Sequence, residues 1–431
     1  MRTHLRATFC GLALACLATR PARAADDASA EAELAREARL DTILRLARAR
    51  NPDVLELAER ARAAEAHADF AGGLEDAQLK AELWGVPLDH PVSFARASTI
   101  MLGARQALPA PGTRDLRARV AREEAGALAE DGRTRGLELA RQVRHAYAQY
   151  WRAEQEVRIH LEHVGLLAQI VDYSRGHYQS GHGSQQDLLR LTVELSQLHA
   201  DVATLEQERR SSRALLNTLM GRAPDALLGP PPEAALFEDA PTAPPDAGQR
   251  PEVAAALRNV RRAEATLELA RRAARWPAVM VGADYWYMPT QADVHGYGAM
   301  VAIDLPWLNP RHGAEVREAE LALGAERRAL DGKRAAAAYE ALDADARVDA
   351  ARAALGILDG DLLPQARRSY ESAEAAYQSG QGSALALLDA MRAYLQVRLE
   401  RGRALARLAT SRADRDRAVG RAGDDGAGGR P

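Results

Sequence analysis

The sequence predicts a mainly α-helical protein with a small β part, built twice on one plan. Three observations predict it. Tyr178-Gln-Ser-Gly-His-Gly-Ser184 returns as Tyr377-Gln-Ser-Gly-Gln-Gly-Ser383, 199 residues downstream. Asn51-Pro52 returns as Arg250-Pro251 at the same offset. Leu108-Pro109 with Arg114 returns as Leu305-Pro306 with Arg311, 197 residues later. Motifs kept in one order in both halves mark a tandem duplication, and a repeat this long fixes the architecture before any single element is read.

Residues 1–24 read as a secretory signal peptide: Arg2 and Arg6, an apolar stretch from Ala7 to Ala18, and Ala22-Arg23-Ala24 as the cleavage site. The stretch is too short to span a bilayer as a helix. The alternative is lipidation at Cys16, for which Ala13-Leu14-Ala15-Cys16 is a poor lipobox. Cleavage after Ala24 removes both cysteines, Cys10 and Cys16, and with them disulfide and thiolate chemistry. It also removes Arg2, Arg6, Arg20 and Arg23, taking the formal net charge from −3 to −7. An acidic exported chain is a poor nucleic-acid binder.

The first repeat covers residues 25–220. Its opening helix runs from about Asp41 to Ala71, closed by Gly72-Gly73. Two strands follow within 77–108, about Ala77–Leu88 and Ser98–Leu108, with Pro87 and Pro91 in their connection. A proline-free helix over 113–177 would extend about 98 Å at ~1.5 Å per residue, too long to cover a compact core. Val143, Tyr150, Val157, Val164, Val171 and Tyr178 recur every seven residues along it. Past the turn at 180–183, the helix over 184–220 steps by three and four through Leu188, Leu191, Leu195, Leu198, Val202 and Leu205. Such heptads predict an antiparallel coiled-coil hairpin. Residues 221–250, with Pro230-Pro231-Pro232 and Pro244-Pro245, form the linker. The second repeat, 251–419, has strands at about Ala278–Met288 and Val294–Leu305, joined around Pro289-Thr290-Gln291, and a tip turn at 379–382. Residues 420–431 read as a disordered tail.

The third strand alternates most cleanly, with Val279, Val281, Ala283, Tyr285 and Tyr287 facing one way. Trp84 and Tyr285-Trp286-Tyr287 gather near the loop ends, as an interfacial aromatic girdle or as part of an ordinary sheet on helices. Each strand has about the ten residues that a tilted transmembrane strand requires. No mature segment has 18 uninterrupted apolar residues, so a membrane crossing must use strands. Four strands cannot close a barrel, since the smallest single-chain barrels have eight. Three copies would supply twelve, continued by a tube of helical hairpins.

With these residues in place the chain resembles the TolC-family outer-membrane efflux proteins, the outer membrane factors of tripartite systems, from about Leu40 to Val419. The most specific parts are the two Tyr-Gln-x-Gly-x-x-Ser turns, each followed by a Leu-rich helix, and the Leu-Pro closing each strand pair. The resemblance implies a homotrimer with a twelve-strand β-barrel in the outer membrane and an α-helical barrel in the periplasm. It implies docking to a periplasmic adaptor (membrane fusion protein) and an inner-membrane pump, with the resistance-nodulation-division type among the candidates. It places Tyr178, Gly181, Gly183, Ser184, Tyr377, Gly380, Gly382 and Ser383 at the periplasmic tip. Asp187 and Asp389 fall at acidic positions of the aperture, whereas Ala386 stands where the family carries a further aspartate. Three copies of Asp389 at a narrow opening would concentrate cations and resist joint ionisation; the alternative is a solvated helix face.

Other signals are weaker. Neither Gly-x-Gly turn follows a strand or precedes Gly-Lys-Ser/Thr, which excludes a phosphate loop. His145, His160, His163, His177 and His182 share one arm, and a solvated helix face explains them better than a metal site. No nucleophile elbow or His-Glu-x-x-His is present, so no enzyme, cofactor or resident metal is expected. No methionine cluster at the tips supports a metal relay there. The expected role is a passive duct for small molecules or metal ions, with heavy-metal resistance among the possibilities. The competing readings are a periplasmic adaptor, disfavoured by two hairpins and two isolated strand pairs, or a secreted coiled-coil scaffold.

Overall fold

The computed structural model describes residues 29–86, 88, 96–181, 183–233, 250–289 and 294–421. The expected signal peptide, Pro87, Pro91, His182, Thr290, Gln291, residues 234–249 of the expected linker and the expected tail from 422 lie outside them. The chain divides into two compact units, one made of residues up to 55, 135–247 and from 338, the other of 56–134 and 248–337.

The first unit is helical. Residues 29–36 form α1, an element the sequence reading left unassigned, and its Ala30 and Leu34, with Ala38 beyond it, are buried at four-residue spacing. The single opening helix expected from Asp41 to Ala71 is two helices, α2 (Leu40–Arg50) and α3 (Pro52–Ala71). Asn51 between them is extended, because a following proline pushes its neighbour out of the α region. Its Oδ1 then accepts the Asp53 N–H at 3.1 Å.

Helix α4 (Thr113–Gln179) runs 67 residues unbroken, and α5 (Gln185–Leu219) returns from it. Val143, Tyr150, Val157 and Val171 are buried, as seam residues of a coiled coil should be, whereas Tyr178 ends the series exposed. The Tyr150 hydroxyl donates to the Leu228 and Gly229 carbonyls at 3.3 and 3.1 Å. The Gly229 N–H donates to the Leu34 carbonyl at 2.8 Å. The first part of the proline-rich linker is therefore ordered chain laid against the first repeat, not a loose tether.

The second repeat departs from the first. Instead of one very long helix it has α7 (Arg311–Ile357), a π-helical turn Leu358–Leu362, and α8 (Leu363–Gln378), followed by α9 (Ala384–Ala418). Pro364 has no N–H for the Gly360 carbonyl and its ring crowds that group. The Leu363 N–H reaches back to Leu358, and the wider turn absorbs the mismatch.

The second unit holds α3 from Glu56, α4 as far as Thr134, α6 (Pro251–Arg275), α7 as far as Ala337, and one sheet of β1 (Gln78–Trp84), β2 (Thr99–Leu108), β3 (Val279–Met288) and β4 (Val294–Ile303). The order is β1-β2-β3-β4, antiparallel throughout. The strand pairs are thus not isolated, because β2 and β3 join the two repeats across nine residue pairs from Ile100–Tyr287 to Leu108–Val279. No helix among the described residues is long and apolar enough to cross a membrane.

Candidate functional site

Directly opposed residues of an antiparallel ladder share a face, and faces alternate along each strand. The register therefore sorts the whole sheet. One face carries Leu79, Leu102, Val281, Tyr285, Tyr297 and Val301, among other apolar residues. The opposite face carries all four charged residues of the strands: Lys80, Glu82, Arg105 and Asp284. In water the apolar face should be the covered one. Here it is the exposed one, with Leu79 86% and Tyr297 89% accessible, while Lys80, Glu82, Arg105 and Asp284 are half-buried. Leaving a large apolar side chain in water forfeits ~1.5–3 kcal/mol, and an apolar patch of this extent marks a partner or a lipid surface.

The same register divides the residues of the expected girdle between the two faces. Tyr285 and Tyr287 lie on the apolar face, flanking His295, whose ring stacks on Tyr287 at 4.9 Å and whose Nδ1 meets the Tyr285 hydroxyl. Trp84 and Trp286 lie on the charged face instead. Trp84 Nε1 donates to Glu82 at 3.1 Å. The Trp286 indole lies over Gly296 and Gly298; a Cβ at Gly298 would stand 2.8 Å from its Cζ3, and one at Gly296 would collide with the ring. Consecutive residues of a strand take opposite faces, so Trp286 points away from Tyr285 and Tyr287. Tyr297 joins Tyr285 and Tyr287 on the apolar face, as the alternation His295, Tyr297, Ala299, Val301, Ile303 implies.

In the helical unit the two hairpin tips are near copies. Gly181 and Gly380 take φ of 77° and 76°, in the left-handed region that reverses the chain without a Cβ clash. Ser184 and Ser383 cap the helices that follow, accepting the N–H groups of Gln186 and Ala386 at 3.2 Å each. A Cβ at Gly183 would stand 2.8 Å from the Tyr178 nitrogen, and one at Gly382 3.0 Å from that of Tyr377. The tips pack together: Tyr173 lies 5.8 Å from the Tyr377 ring and donates its hydroxyl to the Gln378 carbonyl at 3.3 Å. Beneath them Leu167, Val171, Leu191, Leu387, Leu388 and Met391 form a closed apolar core.

The two acids differ. Asp187 sits in the first turn of α5, three residues past its cap, where the helix dipole favours a negative charge whatever else the residue does. Asp389 is exposed and has no capping position. It shares its helix face with Arg392, which donates to Glu194 at 2.9 Å and feels the Asp389 charge as well. Two of the histidines, His160 and His163, do not lie on the solvated face expected of them, whereas His177 is exposed. His160 and His163 are buried and turn back on their own helix, their Nδ1 atoms donating to the carbonyls of Glu156 and Ile159 at 2.8 and 2.9 Å. His145 pairs with Asp414 at 2.8 Å. Among the described residues no group of three or more His, Cys, Asp and Glu is placed to hold a metal ion.

The family described as outer membrane efflux protein matches residues 247–421. No curated protein matches the chain in sequence. Among solved structures, CusC, described for conformational changes accompanying folding and transmembrane channel formation, is 19% identical with a TM-score of 0.76 over 89% of this chain and 92% of its own. The open-state MtrE outer membrane channel of Neisseria gonorrhoeae is 18% identical, with a TM-score of 0.75 over 89% of each chain. The outer membrane protein VceC of Vibrio cholerae is 16% identical, with a TM-score of 0.71 over 88% of this chain and 96% of its own. The resemblance to the TolC family therefore holds: residues 247–421 match the outer membrane efflux proteins, and nearly the whole described chain takes the fold of their solved channels.

Proposed function

We propose that the protein is the outer-membrane duct of a tripartite efflux system, a homotrimer that carries out no chemistry. The inverted sheet carries this reading: its apolar face is exposed and its charged face sheltered, as a barrel wall between lipid and an aqueous lumen requires. Strand β4 has no charged residue or proline along its outer edge, so nothing protects it from pairing with another copy. With four strands alternating in direction, the β4 of one copy meets the β1 of the next antiparallel, and three copies close a twelve-strand barrel with no edge left. A water-soluble scaffold would have no use for the exposed face.

The helical hairpins extend the duct into the periplasm, and the Gly181 and Gly380 tips dock a periplasmic adaptor bound to an inner-membrane pump. Energy enters at the pump; the duct contributes closed and open packings of its tip, selected by adaptor contact. Small molecules or metal ions are the cargo. The test is the native mass of protein extracted from outer-membrane fractions. A detergent-dependent trimer supports the duct, and a monomer or dimer soluble without detergent overturns it.

A further inference from the structure

The chain has seven methionines, and four of them, Met101, Met280, Met288 and Met300, lie in the sheet. The register puts all four on the charged face and none on the apolar one. Methionine recruited as a lipid-facing hydrophobe would stand on the other side, among Leu, Val and Ile. Two of the remaining three, Met220 and Met391, are buried in helical packing. The four on the sheet are only half-buried.

Their positions pair them. Met300 opposes Gly282, two residues from Met280, and its Cε folds towards that glycine, 3.4 Å from where a Cβ would be. Met101 opposes Trp286, two residues from Met288. Diagonal neighbours of this kind lie roughly 7–8 Å apart at the backbone, within reach of long side chains. Between the pairs lie the flat Trp286 indole and Asp284, whose Oδ1 is buried without a hydrogen-bond partner.

We propose that this face is a thioether ladder for soft monovalent cations, Cu(I) and Ag(I), along the wall of the duct; its transport role rests on the duct reading, its binding role does not. A thioether is a neutral, polarisable donor that prefers such ions to hard, hydrated ones. The indole face and the Asp284 carboxylate add attraction for a positive charge, opposed by Arg105 on the same face, whose side chain lies against Gly282 beside Met300. Several weak sites in series favour passage over capture. Because thioethers hold no proton to displace, binding should not change between about pH 5.5 and 7.5, unlike binding by histidine or carboxylate.

The experiment titrates the full-length protein in detergent with Ag(I) in chloride-free buffer, by calorimetry and Trp fluorescence. The same samples are then inserted in planar bilayers. Met→Leu changes preserve volume and keep the fold. Met280→Leu with Met300→Leu, or Met101→Leu with Met288→Leu, should each halve the bound Ag(I), and all four together should abolish it. Met220→Leu with Met391→Leu should leave it unchanged. Equal binding by the wild type and the fourfold variant, or binding lost on acidification, overturns the ladder. Conducting channels that bind no Ag(I) overturn the ladder and leave the duct standing. Methionine-dependent binding by protein that forms no channel supports the site and overturns the duct.

Discussion

The sheet and the hairpin tips use the same residue types in opposite ways. Leu167 at the tip is fully buried between helices, whereas Leu102 in the sheet is 51% exposed and the charged Asp284 on its other side is sheltered. A chain in one solvent would not place leucine by two rules. The tip buries its apolar residues from water and the sheet exposes them, as the proposed duct, one polypeptide fitted to two solvents, requires.

The most damaging test of this contrast is Leu102→Arg. At the midplane of a lipid-facing wall it should cost ~2–4 kcal/mol per copy, three times over in a trimer, and block membrane insertion while the helical unit keeps its circular dichroism. Normal insertion would mean that the face does not meet lipid. Leu167→Ala should do the reverse, lowering helix stability by ~2–5 kcal/mol in thermal or denaturant unfolding and leaving strand insertion intact.

A subtler effect follows from His163. Burial, the largest influence, pushes its pKa below the usual 6.5, with the Ile159 hydrogen bond opposing and Arg398 assisting. The unfolded chain therefore binds the proton more readily than the folded one. Stability from this site is complete above about pH 6.5 and is lost as pH falls from there through the depressed folded value. His163→Leu should flatten the fall in melting temperature on acidification, and an unchanged slope would place the acid sensitivity elsewhere. Smallest in stability but direct in function is Asp389→Ala. It should raise the resting conductance of the reconstituted protein, and unchanged current and cation selectivity would remove Asp389 from the gate.

Much of the fold was legible because its signals are local. The repeated turns fixed both chain reversals, and each glycine and serine acts within a few residues of itself: Gly380 through its φ, Ser383 through its bond to Ala386. The break at Asn51-Pro52 was equally local and could have been read from the proline, as could the π turn before Pro364. Burial of His160 and His163 could not, since an isolated helix does not show which of its faces another helix will cover.

By itself the sequence determined the duplication, the long heptad helices, the four strands and the two tips, because propensity, capping and turn geometry act over a few residues. Tertiary structure alone decided that β2 joins β3, and with that pairing which side chains from distant segments share a face. Trp286 went to the charged side, Tyr297 to the apolar side, and four methionines from three strands to one wall. Alternation gives each strand two faces but does not say which way either will turn; only pairing across the ladder ties them to a common side.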